Sequence, residues 1–158
     1  GNQGDTVISA LSDKNAHFLW NHNYDKTEMF DSIQIGLSAI QREGGFDGAF
    51  LLPGDMPAVA PAVLQELMSL LSTGDYDVVF PSNGTRRLHP PLIAASCFEP
   101  IISYSGADGL RGAFREMSCR IGYVLSSETG LTIDVDTPED YARVQQHFSN
   151  RNNEEAAR

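Results

Sequence analysis

The chain has 158 residues, enough for one domain with a substantial core but too few for a second full domain. Its formal charge of -10, from 21 acidic and 11 basic residues, argues against a nucleic-acid partner, which would require clustered Lys and Arg. No apolar stretch has the length of a membrane span, and the first residues lack the features of a signal peptide. We therefore expect a soluble, cytoplasmic protein with no membrane partner.

Helix-like and strand-like stretches alternate along the chain. The apolar spacing predicts helices over residues 5–11, 30–40, 61–74, 110–117 and from 138, and strands over residues 16–20, 48–52, 78–80, 92–95, 121–125 and 131–136. This alternation predicts an α/β fold of three layers, Rossmann-like, with a mostly parallel sheet and helices on both faces. We assign residues 1–149 to this domain and 150–158 to a polar tail. No strand precedes the first helix, so we expect the domain to be truncated at its N-terminus.

The segment Leu-Leu-Pro-Gly-Asp-Met-Pro, residues 51–57, places a carboxylate just past a predicted buried strand. Gly54 permits a close turn, and the flanking prolines end the strand. Asp55 therefore lies at the carboxyl end of a strand, where open α/β sheets form their ligand crevices. A second interpretation stays open, because an Asp in this position can also serve only to shape a turn.

The segment Leu131–Asp136 alternates with a period of two. Asp134 and Asp136 should therefore share one face, and Ile133 and Val135 the other. Together with Asp55, these carboxylates could converge on a hard cation such as magnesium, which takes oxygen ligands and leaves positions for substrate phosphates. The pattern favours phosphate chemistry.

Four motifs, in this order, resemble those of the MobA-like nucleotidyltransferases: LLPGDMP, RLHPPLI, SGADGLRGAF and IDVDTPEDYARV. The resemblance implies a fold of the nucleotide-diphospho-sugar transferase type, and the GDMP and IDVDTPED segments are most similar to the molybdenum cofactor cytidylyltransferase branch. The family's N-terminal Leu-Ala-Ala-Gly loop, which cradles the nucleotide phosphates, has no counterpart in the chain. We therefore expect these 158 residues alone not to catalyse nucleotidyl transfer.

The resemblance also implies an activity. A family member transfers CMP or GMP from a nucleoside triphosphate to the phosphate of a molybdopterin-type cofactor, releases pyrophosphate and requires magnesium. The branch resemblance favours CTP over GTP as the partner nucleotide. By resemblance, the catalytic and metal-binding residues are Asp55 with Asp134 or Asp136.

Further roles follow from the same resemblance. Nucleotide-binding roles fall on Gly54, Asp55 and Ser32, and substrate-binding roles fall on Asn23, Arg87, His89, Pro90 and Gly109. The chain departs from the family at Leu88, where the family usually has Gly before its His-Pro pair. This departure weakens the expectation that the loop approaches the substrate closely.

Two other functions remain open. The chain could be a degenerate member of the same fold that binds a nucleotide or a partner without turnover, its acids serving as caps and turns. It could also be a nucleotide-sugar glycosyltransferase, since Asp134-Val135-Asp136 has the Asp-x-Asp pattern of those enzymes. We rank this third, because that pair usually follows a strand in the middle of the chain.

Overall fold

The protein is represented by a computed structural model that describes the backbone of residues 3–156 and the side chains of residues 3–151. It has two compact units. A helical unit contains the residues up to Asp47 together with Ala95–Ser118, and a sheet unit contains Gly48–Ala94 together with the residues from Cys119 onward. The α/β fold class predicted from the sequence is confirmed.

The sheet unit is built on four strands in the order β1-β3-β2-β4. Its elements are β1 (Gly48–Phe50), α3 (Pro61–Leu71), β2 (Val78–Ser82), β3 (Leu92–Ala94), β4 (Ile121–Leu125) and α6 (Pro138–Ala156). Strand β3 is antiparallel to both β1 and β2, whereas β2 and β4 are parallel. Strands β1, β2 and β4 therefore share a direction, and their carboxyl ends lie at the edge where β3 begins.

The core of the sheet unit forms between α3 and the sheet. Its buried residues include Val63 and Leu67 from α3, Val79 from β2, Leu92 from β3, and Ala60, Leu88 and Leu131. Pro61 occupies the first turn of α3, where its missing N–H costs no hydrogen bond. At full burial, Leu67 contributes about 2 kcal/mol through the area it removes from water.

The helical unit contains α1 (Gly4–Ala10), α2 (Met29–Glu43), α4 (Phe98–Ser103) and α5 (Gly109–Glu116). A reciprocal capping box between Glu28 and Asp31 begins α2, and the positive φ angles of Gly44 and Gly45, 73° and 80°, end it. The Gln34 side-chain nitrogen lies 2.8–3.0 Å from the carbonyl oxygens of Ile101, Ile102 and Tyr104. It therefore donates hydrogen bonds to backbone carbonyl groups at the end of α4 that have no partner within the helix.

Two predicted strands are wrong. Residues 16–20 have no regular structure and are all exposed, because no strand in residues 3–156 pairs with them. Residues 129–132 form a 3₁₀ helix, and the following residues are extended but belong to no ladder. The other predicted strands and helices are confirmed, with β1 and α3 ending earlier than expected.

The sheet is mixed: β1, β2 and β4 share a direction, and β3 is antiparallel to both of its neighbours. A strand's period shows which side chains share a face, but it does not reveal the direction of the neighbouring strand. Helix α6 continues into the polar tail as far as Ala156, and the last two residues lie outside the described part. Within the described residues, no helix is both long and apolar enough to cross a membrane.

Candidate functional site

The bend that carries Asp55 follows β1 at the edge of the sheet. Just after β1, the Leu51 N–H donates a hydrogen bond to the Pro91 carbonyl oxygen, at 3.0 Å, which continues the pairing of β1 with β3. A turn then closes when the Met56 N–H donates to the Pro53 carbonyl at 3.2 Å. Asp55 lies in this turn with its side chain exposed. The predicted position of this carboxylate past the end of a strand is therefore confirmed.

The bend around Asp55 is joined directly to the bend that carries the other two acids. The Val135 N–H donates to the Asp55 carbonyl oxygen at 2.8 Å. A few residues away, Gly130 packs so closely on Ala58 that a Cβ at Gly130 would lie 2.0 Å from the Ala58 carbonyl oxygen. Residues 55–58 and 130–135 are thus held together at two points, one polar and one steric.

Asp134 and Asp136 lie in the segment that is hydrogen-bonded to Asp55. Both are exposed, whereas the intervening Val135 and the preceding Ile133 are half-buried. The alternation therefore places the side chains correctly, although no strand forms. The reason is that the Val135 N–H bonds to the Asp55 carbonyl and is not available to a sheet ladder.

The start of α6 fixes this acidic bend by means of a different carboxylate. Asp140 accepts hydrogen bonds from the backbone N–H groups of Asp136 and Thr137, at 3.3 Å and 2.9 Å. The Thr137 hydroxyl in turn accepts from the Asp140 N–H at 3.2 Å, which completes a capping box. Asp140 is buried and also pairs with Arg143. Its role is structural, and this leaves Asp134 and Asp136 exposed for a ligand.

These acids have the chemistry of a site for a hard cation, but they do not form a complete one. Within residues 3–151, no group of three or more His, Cys, Asp or Glu side chains is placed to hold a metal ion. A magnesium ion commonly takes only one or two carboxylates and completes its shell with water and substrate phosphates. The exposed carboxylates on two joined bends match this partial donor set.

Basic residues lie at the same edge of the sheet. The loop from Asn83 to His89 connects the carboxyl end of β2 to the start of β3, and Leu88 is buried between the exposed Arg87 and His89. His89 is followed by a cis peptide bond to the buried Pro90. The edge therefore carries both acidic and basic groups.

Asn23 and Ser32 belong to the helical unit, where Asn21 connects them. The Asn21 side-chain amide donates to the Ser32 hydroxyl at 3.1 Å, and its carbonyl oxygen accepts from the Asn23 N–H at 3.1 Å. It also donates to Thr27 at 2.9 Å. Asn21 was not among the predicted site residues.

Gly109 begins α5 in the helical unit. Its φ of 50° follows a φ of 67° at Asp108, so the residue before the helix and the first residue of the helix are both left-handed. A Cβ at Gly109 would lie 3.2 Å from the Cβ of Phe30. Glycine is therefore favoured here both by the backbone and by the packing. An exposed ion pair between Asp108 and Arg115, at 3.1 Å, spans the first turns of α5.

The pKa of Asp77 is lowered, chiefly because the Arg120 side chain donates hydrogen bonds to its carboxylate. The bonds from Arg120 measure 2.7 Å and 3.1 Å from its side chain and 2.8 Å from its backbone N–H. This pair fastens the residue before β2 to the residue before β4. The Asp77–Arg120 pair therefore has a structural role, and neither residue belongs to the acidic bends.

Comparison with known families agrees with this geometry. The sequence model of the family described as "MobA-like NTP transferase domain" matches residues 1–121. This chain belongs to the MobA-like NTP transferase domain family. The match includes the Asp55 bend, the Arg87 loop and the start of α5, so the family resemblance of those motifs is confirmed. The members of this family are nucleotidyltransferases, and no curated protein matches the chain.

Solved structures share the fold of this MobA-like domain at low identity. A nucleotidyl transferase from Methanothermobacter thermautotroptrophicus is 21% identical with a TM-score of 0.70, and the match covers 96% of this chain and 71% of that one. Molybdopterin-guanine dinucleotide biosynthesis protein A from Archaeoglobus fulgidus is 18% identical with a TM-score of 0.61, covering 92% and 75%.

A third match was solved with a metal ion. The manganese complex of Rv0371c from Mycobacterium tuberculosis H37Rv is 21% identical with a TM-score of 0.55, and the match covers 72% of this chain. The MobA-like domain spans 59% of the length of that protein, which is less than two thirds. At these identities the solved structures establish the shared fold.

Proposed function

We propose that this MobA-like domain acts in the transfer of CMP or GMP from a nucleoside triphosphate to the phosphate of a molybdopterin-type acceptor, with release of pyrophosphate. The observation that carries the proposal is the 2.8 Å hydrogen bond from the Val135 N–H to the Asp55 carbonyl. It joins the two acidic bends whose motifs are similar to the family's metal-binding segments. Family membership supports a nucleoside triphosphate as the substrate.

The metal-binding role falls on Asp55 together with Asp134 or Asp136. Their carboxylates are exposed, and they are not needed to cap α6 because Asp140 accepts the hydrogen bond from the Thr137 N–H. When bound, a divalent ion would offset the negative charge on the phosphates of the nucleotide. We propose magnesium as the physiological ion. A protein with the same fold was solved as a manganese complex, which supports a divalent ion as the cofactor.

Gly54 is proposed to give the nucleotide close access to the bend. It is exposed, and a Cβ added there would meet nothing within 4 Å, so the space beside it is open. Ser32, fixed by Asn21, is the proposed nucleotide contact in the helical unit. CTP is proposed as the preferred nucleotide over GTP, on the resemblance of the GDMP and DVDTP segments to the cytidylyltransferase branch.

The acceptor is proposed to bind through the basic loop. Arg87 and His89 are both exposed, and a guanidinium group suits phosphate oxygens because it can donate two parallel hydrogen bonds. Pro90 is fully buried and anchors the end of the loop. Asn23 and Gly109 are the proposed acceptor contacts in the helical unit.

Thermal unfolding with CTP or GTP tests the proposal, because a ligand that binds only the folded state stabilises it. At a concentration of one hundred times Kd, we expect about 2.7 kcal/mol of stabilisation, or a rise in Tm of about 5–10 °C, with CTP and Mg²⁺. The Asp55→Asn variant should lose this rise. The matched control Asp75→Asn, another exposed aspartate of the sheet unit, should keep it.

The same experiment can refute the proposal. If neither nucleotide raises Tm with Mg²⁺ or Mn²⁺, the chain does not bind a nucleotide in this way. If the rise occurs but is the same in the parent, Asp55→Asn and Asp75→Asn, the nucleotide binds without the acidic bends. A larger rise with GTP than with CTP would reverse the proposed preference while keeping the site.

A further inference from the structure

An aromatic pair supports the side chain of Arg87. Phe80 of β2 and Tyr123 of β4 are direct partners in the parallel register, with ring centroids 6.5 Å apart. The central carbon of the Arg87 guanidinium lies 5.1 Å from the Phe80 centroid and 5.6 Å from the Tyr123 centroid. Both distances are within the range of a cation–π interaction. We call Phe80 and Tyr123 the aromatic platform.

A hydrogen bond fixes the orientation of the guanidinium on the platform. The Arg87 Nε–H donates to the Tyr123 hydroxyl oxygen at 3.0 Å. This bond uses the inner nitrogen of the side chain. Within the described residues, neither terminal amino group of Arg87 makes a hydrogen bond or an ion pair, and the side chain is exposed. The two outer nitrogens are therefore oriented but available.

The backbone beneath Arg87 is also held. Arg87 forms an isolated antiparallel bridge with Ser82, and the Leu88 N–H donates to the Pro81 carbonyl at 2.8 Å. The Ser82 hydroxyl closes the loop by donating to the Arg86 carbonyl at 3.0 Å and accepting from the Gly84 N–H at 3.1 Å. Both ends of the loop are thus tied to β2.

This arrangement lowers the entropic cost of binding an anion. An arginine side chain has many rotamers, and part of this rotamer entropy is lost when a ligand immobilises it. The platform and the Tyr123 bond restrict Arg87 before any ligand arrives. The remaining fork of two amino groups matches the oxygens of a phosphate.

We infer that Arg87 on the aromatic platform forms a preorganised binding site for a phosphate or pyrophosphate group, and that Tyr123 is its positioning residue. The identity of the group as part of a substrate rests on the proposed function, but binding of the anion does not. Tyr123 acts by holding the guanidinium through its ring and its hydroxyl. Phe80 contributes the buried half of the platform.

Pyrophosphate titration in the presence of EDTA tests the site by calorimetry, with the whole chain and without any divalent ion. We expect Arg87→Ala to weaken pyrophosphate binding at least tenfold, and Arg87→Lys nearly as much because lysine lacks the planar fork. Tyr123→Phe, which keeps the ring and removes the hydroxyl, should weaken it about three- to tenfold. The control Arg86→Ala makes the same charge change one residue away and should alter the affinity less than twofold.

A second readout separates positioning from general stability. The Nε–H signal of Arg87 in a ¹⁵N NMR spectrum should be resolved in the parent, should shift on addition of pyrophosphate, and should broaden or move to the free-arginine position in Tyr123→Phe. Leu125→Ala changes another exposed side chain of β4 and should leave this signal unchanged. Urea unfolding of each variant checks that the fold is retained.

Two results would overturn the inference. Equal losses in Arg86→Ala and Arg87→Ala would mean that only net charge matters. Unchanged affinity and an unchanged Nε–H signal in Tyr123→Phe would mean that the platform does not position the guanidinium. Since these titrations contain no divalent ion, failure of the proposed metal site would appear only in the nucleotide-dependent unfolding experiments, and the two failures can be told apart.

Discussion

Replacing Gly130 by Ala should destabilise the protein and loosen the candidate site. A Cβ at this position would lie 2.0 Å from the Ala58 carbonyl oxygen and 2.9 Å from its carbon. Ordinary contact begins at 3.4 Å, so one of the two segments must move by about 1.4 Å, the difference between 3.4 Å and 2.0 Å. The obstacle is backbone and cannot rotate aside.

The expected cost of Gly130→Ala follows from overpacking. Forcing an extra methyl group into a packed region typically costs about 1–3 kcal/mol. For a chain of this size, that loss corresponds to a fall in Tm of about 2–12 °C. Urea unfolding followed by circular dichroism would measure it from the midpoint at constant slope. Because the same contact holds the two acidic bends together, the variant should also bind Mg²⁺ and CTP more weakly.

Gly36→Ala is the matched control. A Cβ at Gly36 would meet nothing within 4 Å, and Gly36 lies inside α2. Alanine is favoured over glycine in a helix interior by about 0.5–1 kcal/mol, so this variant should be slightly more stable than the parent. If Gly130→Ala were as stable as the parent while Gly36→Ala gained stability, the close approach of Gly130 to Ala58 would be refuted.

Three further predictions concern the supports of the fold. Because the folded pKa of Asp77 is lowered by Arg120, its contribution to the free energy of unfolding is present above the unfolded carboxyl pKa of 3.8 and is lost as pH falls through the lower folded value. Unfolding curves of the parent and Asp77→Asn should therefore differ at pH 7 and converge in strong acid; a constant difference would contradict this. Gln34→Leu should cost about 1–3 kcal/mol, since it removes the donor to the part-buried carbonyl oxygens of Ile102 and Tyr104, whereas the exposed Gln41→Leu should cost less than about 0.5 kcal/mol; equal losses in urea titrations would refute the role of Gln34. Asp140→Ala should lower the unfolding free energy by about 0.5–2 kcal/mol through loss of the capping box, and calorimetry finding no change would count against that box.

The local structure could be predicted where one segment carries its own signal. The Pro61 start of α3, the Gly44-Gly45 end of α2 and the capping box at Thr137 all depend on residues close together in the sequence, so their physics is local. The turn at Asp55 was predictable for the same reason, because glycine and proline restrict the backbone whatever surrounds them.

The errors concern features that depend on distant residues. The period of β3 gives no information about its direction, so its antiparallel pairing could not be read from the sequence. Residues 16–20 have the composition of a strand but no partner in the described chain. At residues 131–136 the alternation was correct for the side chains, but the Val135 N–H binds Asp55 and not a strand.

Part of the candidate site could not be predicted from the sequence. The motifs identified Asp55, Arg87 and His89, because their neighbours are distinctive. The aromatic platform was missed, since Phe80 and Tyr123 are 43 positions apart and meet only because β2 and β4 are adjacent in a parallel register. Without the strand order, nothing distinguishes these two side chains from other aromatic residues of the sheet.

A double-mutant cycle on the two acidic bends tests the central proposal most directly. The affinity for CTP with Mn²⁺ would be measured for the parent, Asp55→Asn, Asp134→Asn, Asp136→Asn and the double variants that combine Asp55→Asn with each of the others. If one ion is held by both bends, at least one pair should be coupled by about 0.5–3 kcal/mol. If both pairs gave losses that add within about 0.5 kcal/mol, the bends would not share a metal ion and the proposed site would be contradicted.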